Sequence, residues 1–309
     1  MENADAHSET NVNYGTSFDT NNYLDAYPAV NYERSVSVSP TNAATVTQAT
    51  TVTYIYNSKT AIFQVIHRYA SGTTISSSEP ETIAYGNPYS ASPIAEMLIE
   101  YDVEPTGTIS GIVSDEALDN PNAAEKTITV IFTYTKKQFS LTITHIVDGE
   151  TISSDTTQAE YGTPISTSEY LDAYPATAYN RSVTVNPEGA TTVTQNTTIT
   201  YTYTIKKYDV TVIHVVDGET ISSDTTHNVN YGTPIVTDAY LDSYPEVAYA
   251  RSVSVSPDGA TTVTANTTIT YTYNIRKYDV TVIHVVDGTE ESRATTTGVN
   301  YGTPITTDA

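Results

Sequence analysis

The sequence predicts a mainly β fold (α+β): a tandem array of sheet modules, each about 70 residues long and carrying one short helix. Repetition is the first observation behind this. FSLTITHIVDGETISSDTT from Phe139, YDVTVIHVVDGETISSDTT from Tyr208 and YDVTVIHVVDGTEESRATT from Tyr278 open successive copies of one unit. The second is a fixed landmark inside each copy, Tyr14-Gly15-Thr16, Tyr161-Gly162-Thr163, Tyr231-Gly232-Thr233 and Tyr301-Gly302-Thr303, with Tyr85-Gly86-Asn87 marking a divergent one. The third is strict alternation of apolar and polar residues in stretches such as TTITYTYNI. Complete units run 60–137, 138–207 and 208–277; segment 1–59 lacks the opening strand, and 278–309 holds only the first two.

Unit 208–277 gives the elements in order. The first strand is Tyr208 to Val216, with Val210, Val212, His214 and Val216 on one face and Thr211, Ile213 and Val215 on the other. Two largely apolar faces predict a central strand. Asp217-Gly218 then signals a hairpin, because glycine accepts positive φ, and a second strand is expected within Ile221 to Tyr231. After Gly232-Thr233-Pro234, Asp238 is placed to cap one or two helical turns in AYLDSY. The divergent unit carries the longer version, Pro93 followed by IAEMLIEYD, where Ile94, Met97, Leu98 and Tyr101 take the i, i+3, i+4 and i+7 positions of an amphipathic helix. A third strand, Tyr249 to Val255, ends at the turn Ser256-Pro257-Asp258-Gly259. In the last strand Ile269, Tyr271, Tyr273 and Ile275 face one way, and Thr268, Thr270, Thr272 and Asn274 the other. This element order fits a β-grasp-like module. Lys206-Lys207 and Arg276-Lys277 lead into the next unit without a linker, so modules joined end to end would make a rod on the order of 100 Å or longer.

Composition narrows the function. With 36 acidic against 13 basic residues the net charge is −23, and no basic run exceeds two residues, which argues against nucleic acid. Cysteine is absent, so stability rests on packing. No run of 18 apolar residues and no export signal occur, so neither membrane insertion nor a leader is expected of these residues. A cysteine nucleophile, a G-x-S-x-G elbow and a phosphate loop are all missing, and a non-catalytic protein is expected.

I-H-V-V-D-G in the first strand and turn, Y-G-T-P before the helix and T-I-T-Y-T-Y at the end resemble the mucin-binding-protein (MucBP) repeat family. The resemblance covers 138–207 and 208–277 best. It implies β-grasp-like repeats on an extracellular bacterial cell-surface protein, an adhesin or adhesin stalk, with mucin-like glycoproteins or other glycans as partners.

The candidate site residues have competing readings. Tyr240, Tyr244, Tyr249 and Arg251 combine aromatic faces with a hydrogen-bonding cation, as a glycan site requires; the same tyrosines suit core packing and cross-strand pairs. His67, His145, His214 and His284 recur in the first strand without partner ligands, so packing beneath tyrosine is expected and no metal site. No cofactor is expected. The acidic set Asp217, Glu219, Asp224, Asp238 and Asp242 offers oxygens of the kind calcium takes at module junctions, or else solvated charge and caps.

A filament subunit is the alternative function. Tyr278, Val280, Val282, His284 and Val286 form a spare first strand, which could complete segment 1–59 of the next copy head to tail by strand addition. Truncation of a longer array would give the same segments.

Overall fold

A computed structural model of the chain describes residues 9–307, so the first eight residues of segment 1–59 and the last two of segment 278–309 lie outside the described residues. The chain divides into two compact units, Met1–Gln138 with Glu160–Gly162, and Phe139–Ala159 with Thr163–Ala309.

In the first unit, β1 (Tyr32–Ser39) and β2 (Thr51–Ser58) form an antiparallel pair. There follow β3 (Thr60–Tyr69), β4 (Thr74–Ser77), β5 (Glu81–Ala84), β6 (Pro88–Ala91), β7 (Tyr101–Glu104), β8 (Ile109–Ile112) and β9 (Thr127–Lys136). Strands β3 and β9 lie side by side and parallel; β4 and β5 pair with the other edge of β3, β7 pairs with β9, and β6 and β8 form a separate pair.

The second unit repeats one sheet design. Strands β10 (Gln138–Val147), β11 (Glu150–Glu160), β12 (Tyr179–Asn186) and β13 (Thr197–Ile205) assemble in the order β11-β10-β13-β12. Strands β14 (Lys207–Val216), β15 (Glu219–Asn230), β16 (Tyr249–Ser256) and β17 (Thr267–Ile275) take the same order, β15-β14-β17-β16, and β18 (Lys277–Val286) and β19 (Thr289–Asn300) form a hairpin. The apolar two-faced β14 is central, as its pattern predicts. Its turn has Asp217 at φ 47° and Gly218 at φ 94°, the double positive φ of a tight hairpin, which a β-branched residue would resist. Along β17 burial alternates strictly, with Thr267, Ile269, Tyr271 and Tyr273 inside.

Strands take 54% of the described residues and helical turns 3%, so the fold is mainly β, and the expected helix in each module is a correction. Residues 238–248 form an irregular loop with turns at 242–243 and 246–248, Tyr244 N–H donates to the Leu241 carbonyl, and Asp238 caps no helix. In the divergent stretch only Ala95–Ile99 is helical, as a 3₁₀ turn. Three residues per turn keep Ile94 and Met97 on the core side but rotate Leu98 outward, to 39% exposure.

One residue joins each copy to the next and is bonded on both sides. Lys206 N–H donates to the Ala178 carbonyl (2.9 Å), and its own carbonyl accepts from Tyr231 N–H (2.8 Å); Arg276 does the same with Ala248 and Tyr301, both at 2.9 Å. In the first unit Lys59 bridges Asn31 and Tyr85, and Lys137 bridges Glu100 and Tyr161. The side chains reinforce the joint: Lys206 Nζ donates to the Ala176 carbonyl at 2.7 Å and Arg276 Nε to that of Glu246 at 2.9 Å.

Candidate functional site: the tyrosine corner and the first–last strand pair

Alternation along β17 buries Tyr271 and Tyr273 at 1% and 0% exposure, and their hydroxyls become anchors for the loop that crosses them. Tyr273 Oη accepts from Leu241 N–H at 2.9 Å and shares a 2.9 Å hydrogen bond with His214 Nδ1; Tyr271 O–H donates to the Val236 carbonyl at 3.4 Å. A loop without helix must find partners for its backbone elsewhere, and these phenols supply them. The same corner is built from Tyr201 and Tyr203 on β13, where Tyr203 serves Leu171 and His145, and from Tyr54 and Tyr56 on β2, where Tyr56 serves Leu24. In the divergent stretch Tyr134 serves Ile94 and His67, and Phe132 replaces the other phenol.

The four residues singled out for glycans do come together. Tyr244 meets Tyr249 edge-on at 5.1 Å and Tyr273 at 4.8 Å, Tyr240 meets Tyr271 at 5.1 Å, and the Arg251 guanidinium lies 4.8 Å over the Tyr240 ring. All three tyrosines pack on the cluster Ile269, Tyr271 and Tyr273, so their apolar faces serve the core. Arg251 covers the ring face a sugar would stack on and also reaches Glu246 Oε2 at 3.3 Å. Arg181 over Tyr170 (4.4 Å) and Arg34 over Tyr23 (4.5 Å) repeat the arrangement. Burial raises the pKa of Tyr201 and Tyr271, keeping these phenols neutral.

Of the four first-strand histidines, His145 and His214 lie against tyrosine as expected and His67 against Phe132 and Tyr134, whereas His284 is exposed, because no last strand covers it. His145 and His214 are buried and stack on Tyr201 and Tyr271 at 5.0 Å. His67 stacks on Phe132 at 5.2 Å, and burial lowers its pKa. Among the described residues no group of three or more His, Asp or Glu side chains could hold a metal ion. Asp217 has a different use from ion binding: its N–H donates to the Tyr273 carbonyl and its Oδ1 accepts from Ile275 N–H, both at 2.9 Å.

The strand-addition residues belong to β18, which pairs with β19 alone among the described residues. Tyr278, Val282 and Val286 are 52%, 49% and 56% exposed, His284 is exposed, and Val280 is half-buried.

Sequence reasoning missed the closures of the first–last strand pair. Asn266 Oδ1 accepts from Asp209 N–H and Asn196 Oδ1 from Ser140 N–H, both at 3.0 Å. The recurrence of Asn-Thr-Thr at 196–198 and 266–268, where the last strands of these two copies begin, was the available signal. It also missed two open hollows, of about 300 Å³ beside Tyr69, Tyr101 and Lys136 and about 400 Å³ beside Asp148, Ile205 and Lys207. Lys136 there bonds Glu100, which raises its pKa, and lies 4.6 Å over the Tyr101 ring.

No helix among the described residues is long and apolar enough to cross a membrane. Compared with protein families and with curated proteins, the chain matches none.

Proposed function

We propose that this chain is a non-catalytic extracellular protein of a bacterial cell surface, an adhesin or adhesin stalk whose repeated β-grasp-like modules bind mucin-type or other glycans weakly and many times over. The observation that carries the reading is repetition of one corner: Tyr23 with Arg34, Tyr170 with Arg181 and Tyr240 with Arg251 have the same geometry. Tethered copies of a weak site gain through effective concentration, an advantage open to an array and not to a single domain. The resemblance to mucin-binding repeats supports the choice of ligand. Support for a non-catalytic role comes from the employment of the titratable side chains: the phenols and histidines hold loops and strands, and Asp217 closes a strand end. The charge of −23 favours neutral or cationic partners over nucleic acid.

The guanidinium edge and the loop beside it form the sugar-facing rim. Retention of the full chain on immobilised mucin tests this. The expected result is retention that falls at least tenfold in the triple variant Arg34→Ala, Arg181→Ala and Arg251→Ala, with each single variant losing little; equal retention of the triple variant overturns the glycan role.

A second reading has its own observation. Strand β18 repeats β14 from Tyr278 to Val286 residue for residue, yet its apolar side chains other than Val280 are exposed, and β2 pairs only with β1 among the described residues. Pairing of β18 in one copy with β2 in another would make this chain a filament subunit. Light scattering over a concentration series separates the two readings: growth abolished by Val282→Asp supports the filament, and a constant mass removes it.

A further inference from the structure

In each complete copy the chain enters at the start of the first strand and leaves at the end of the last, and these two strands are neighbours running in parallel. The register is continuous: Val210↔Thr267 to Val216↔Tyr273 for β14 and β17, Leu141↔Thr197 to Val147↔Tyr203 for β10 and β13, and Ile62↔Thr127 to Tyr69↔Tyr134 for β3 and β9. Entry and exit therefore lie at opposite ends of one ladder. Tension along the chain slides the two strands past each other, so all the rungs share the load. In the antiparallel hairpin β14–β15, force applied at Lys207 and Asn230 acts at one end only, and the rungs break one at a time.

We infer that the first–last strand pair of each complete module is a tension-bearing clamp, a mechanical function built into the repeat. Its ends are closed by side chains that do nothing else visible in the fold. Asn266 binds Asp209 N–H before the first rung, and Asp217 binds Ile275 N–H beyond the last; Asn196 with Ser140 and Asp148 with Ile205 do the same in β10–β13. Between the ends, His214 ties β14 to Tyr273 of β17 through a side-chain hydrogen bond at 2.9 Å. Basic residues bonded on both sides, Lys206 and Arg276, pass the load to the next copy with no slack segment. A load on the chain in the cell presupposes the surface role proposed above; the clamp itself does not.

Single-molecule pulling on the full chain tests the clamp, and the absence of native cysteine allows unique attachment points. Lys207→Cys with Asn274→Cys loads the β14–β17 ladder lengthwise, and Lys207→Cys with Asn230→Cys loads the β14–β15 hairpin from its end. The three attachment positions, Lys207, Asn230 and Asn274, are exposed, and unaltered thermal unfolding confirms the fold. The lengthwise pair is expected to rupture at several-fold higher force than the hairpin pair. Adding Asn266→Ala and Asp217→Ala should lower the first force and leave the second nearly unchanged. Equal rupture forces in the two geometries, or a lengthwise force indifferent to both closures, overturn the clamp. Because the measurement needs neither glycan nor cell, failure of the adhesin reading leaves its result untouched, and failure of the clamp leaves mucin retention untouched.

Discussion

The nine residues YDVTVIHVV occur twice, as Tyr208–Val216 and Tyr278–Val286, in opposite environments. In β14 they lie between β15 and β17, with His214 at 9% exposure and Val210, Val212 and Val216 packed on the tyrosine core. In β18 they pair with β19 alone, and Val282, Val285 and Val286 are about half exposed, at 49%, 58% and 56%. Strand formation is thus local, driven by β-branched residues and the Asp-Gly turn, whereas burial is conferred by the last strand, which supplies the phenols. One sequence in two settings is an internal control for what that neighbour contributes.

The largest way to break the contrast is to remove the neighbour's core. Tyr273→Ala should cost about 3–5 kcal/mol, and amide exchange should show β14 losing protection towards the level of β18. Tyr273→Phe is sharper: it keeps the ring but orphans Leu241 N–H and His214, and should cost about 1–3 kcal/mol. The paired substitutions His214→Ala and His284→Ala come next. The first loses a buried hydrogen bond and a stacked ring, about 1–2 kcal/mol. The second is expected to stay within about 0.5 kcal/mol, and equal thermal shifts for the two would contradict burial conferred by the last strand.

Titration sharpens the comparison through the divergent module, which differs from 208–277 in its buried groups. Burial, aided by a hydrogen bond to Asp115, pushes the Tyr85 phenol up to about 12. Since the unfolded phenol ionises from about pH 10, stability held below that pH is lost as pH climbs towards 12, by about 1 kcal/mol at pH 11. His67 acts in the opposite direction. Its pKa is depressed by burial from 6.5, so the unfolded chain binds the extra proton, and His67 should weaken this module as pH falls below 6.5. Chemical denaturation followed by module-resolved exchange checks both signs.

Strands were readable because alternation, Asp-Gly and Pro-Asp-Gly turns are local signals; the expected β14, β15, β16 and β17 match to within two residues at their ends. The helix was misread for a reason outside any local window. Leu241 is fixed by a hydroxyl on Tyr273, thirty-two residues away, so a loop holds where Asp238 as a cap pointed to one or two helical turns. In IAEMLIEYD the periodicity was real, but β7 begins at Tyr101 to pair with β9, which leaves room for one 3₁₀ turn. Tyr240, Tyr244, Tyr249 and Arg251 were picked as neighbours correctly in space, yet nothing in their spacing reveals that Arg251 covers the ring. The two apolar faces of the first strand mark it as central but do not tell which strand it pairs with or in which direction, so its parallel pairing with the last strand was not legible.

Identity of the first strands sets a problem for folding. By sequence, β17 would accept the β18 of another chain as readily as its own β14, whereas its own β18 follows after Arg276 alone, too short a connection for a parallel return; exchange between chains is a common misfolding route of repetitive sequences. Synthesis from the N-terminus favours the right partner, because β14 is already made and tethered nearby when β17 emerges, before any other chain can reach it. The ribosome thus enforces a pairing order that refolding from denaturant has to find by chance, and chains refolded at high concentration should carry crossed partners that newly made ones do not.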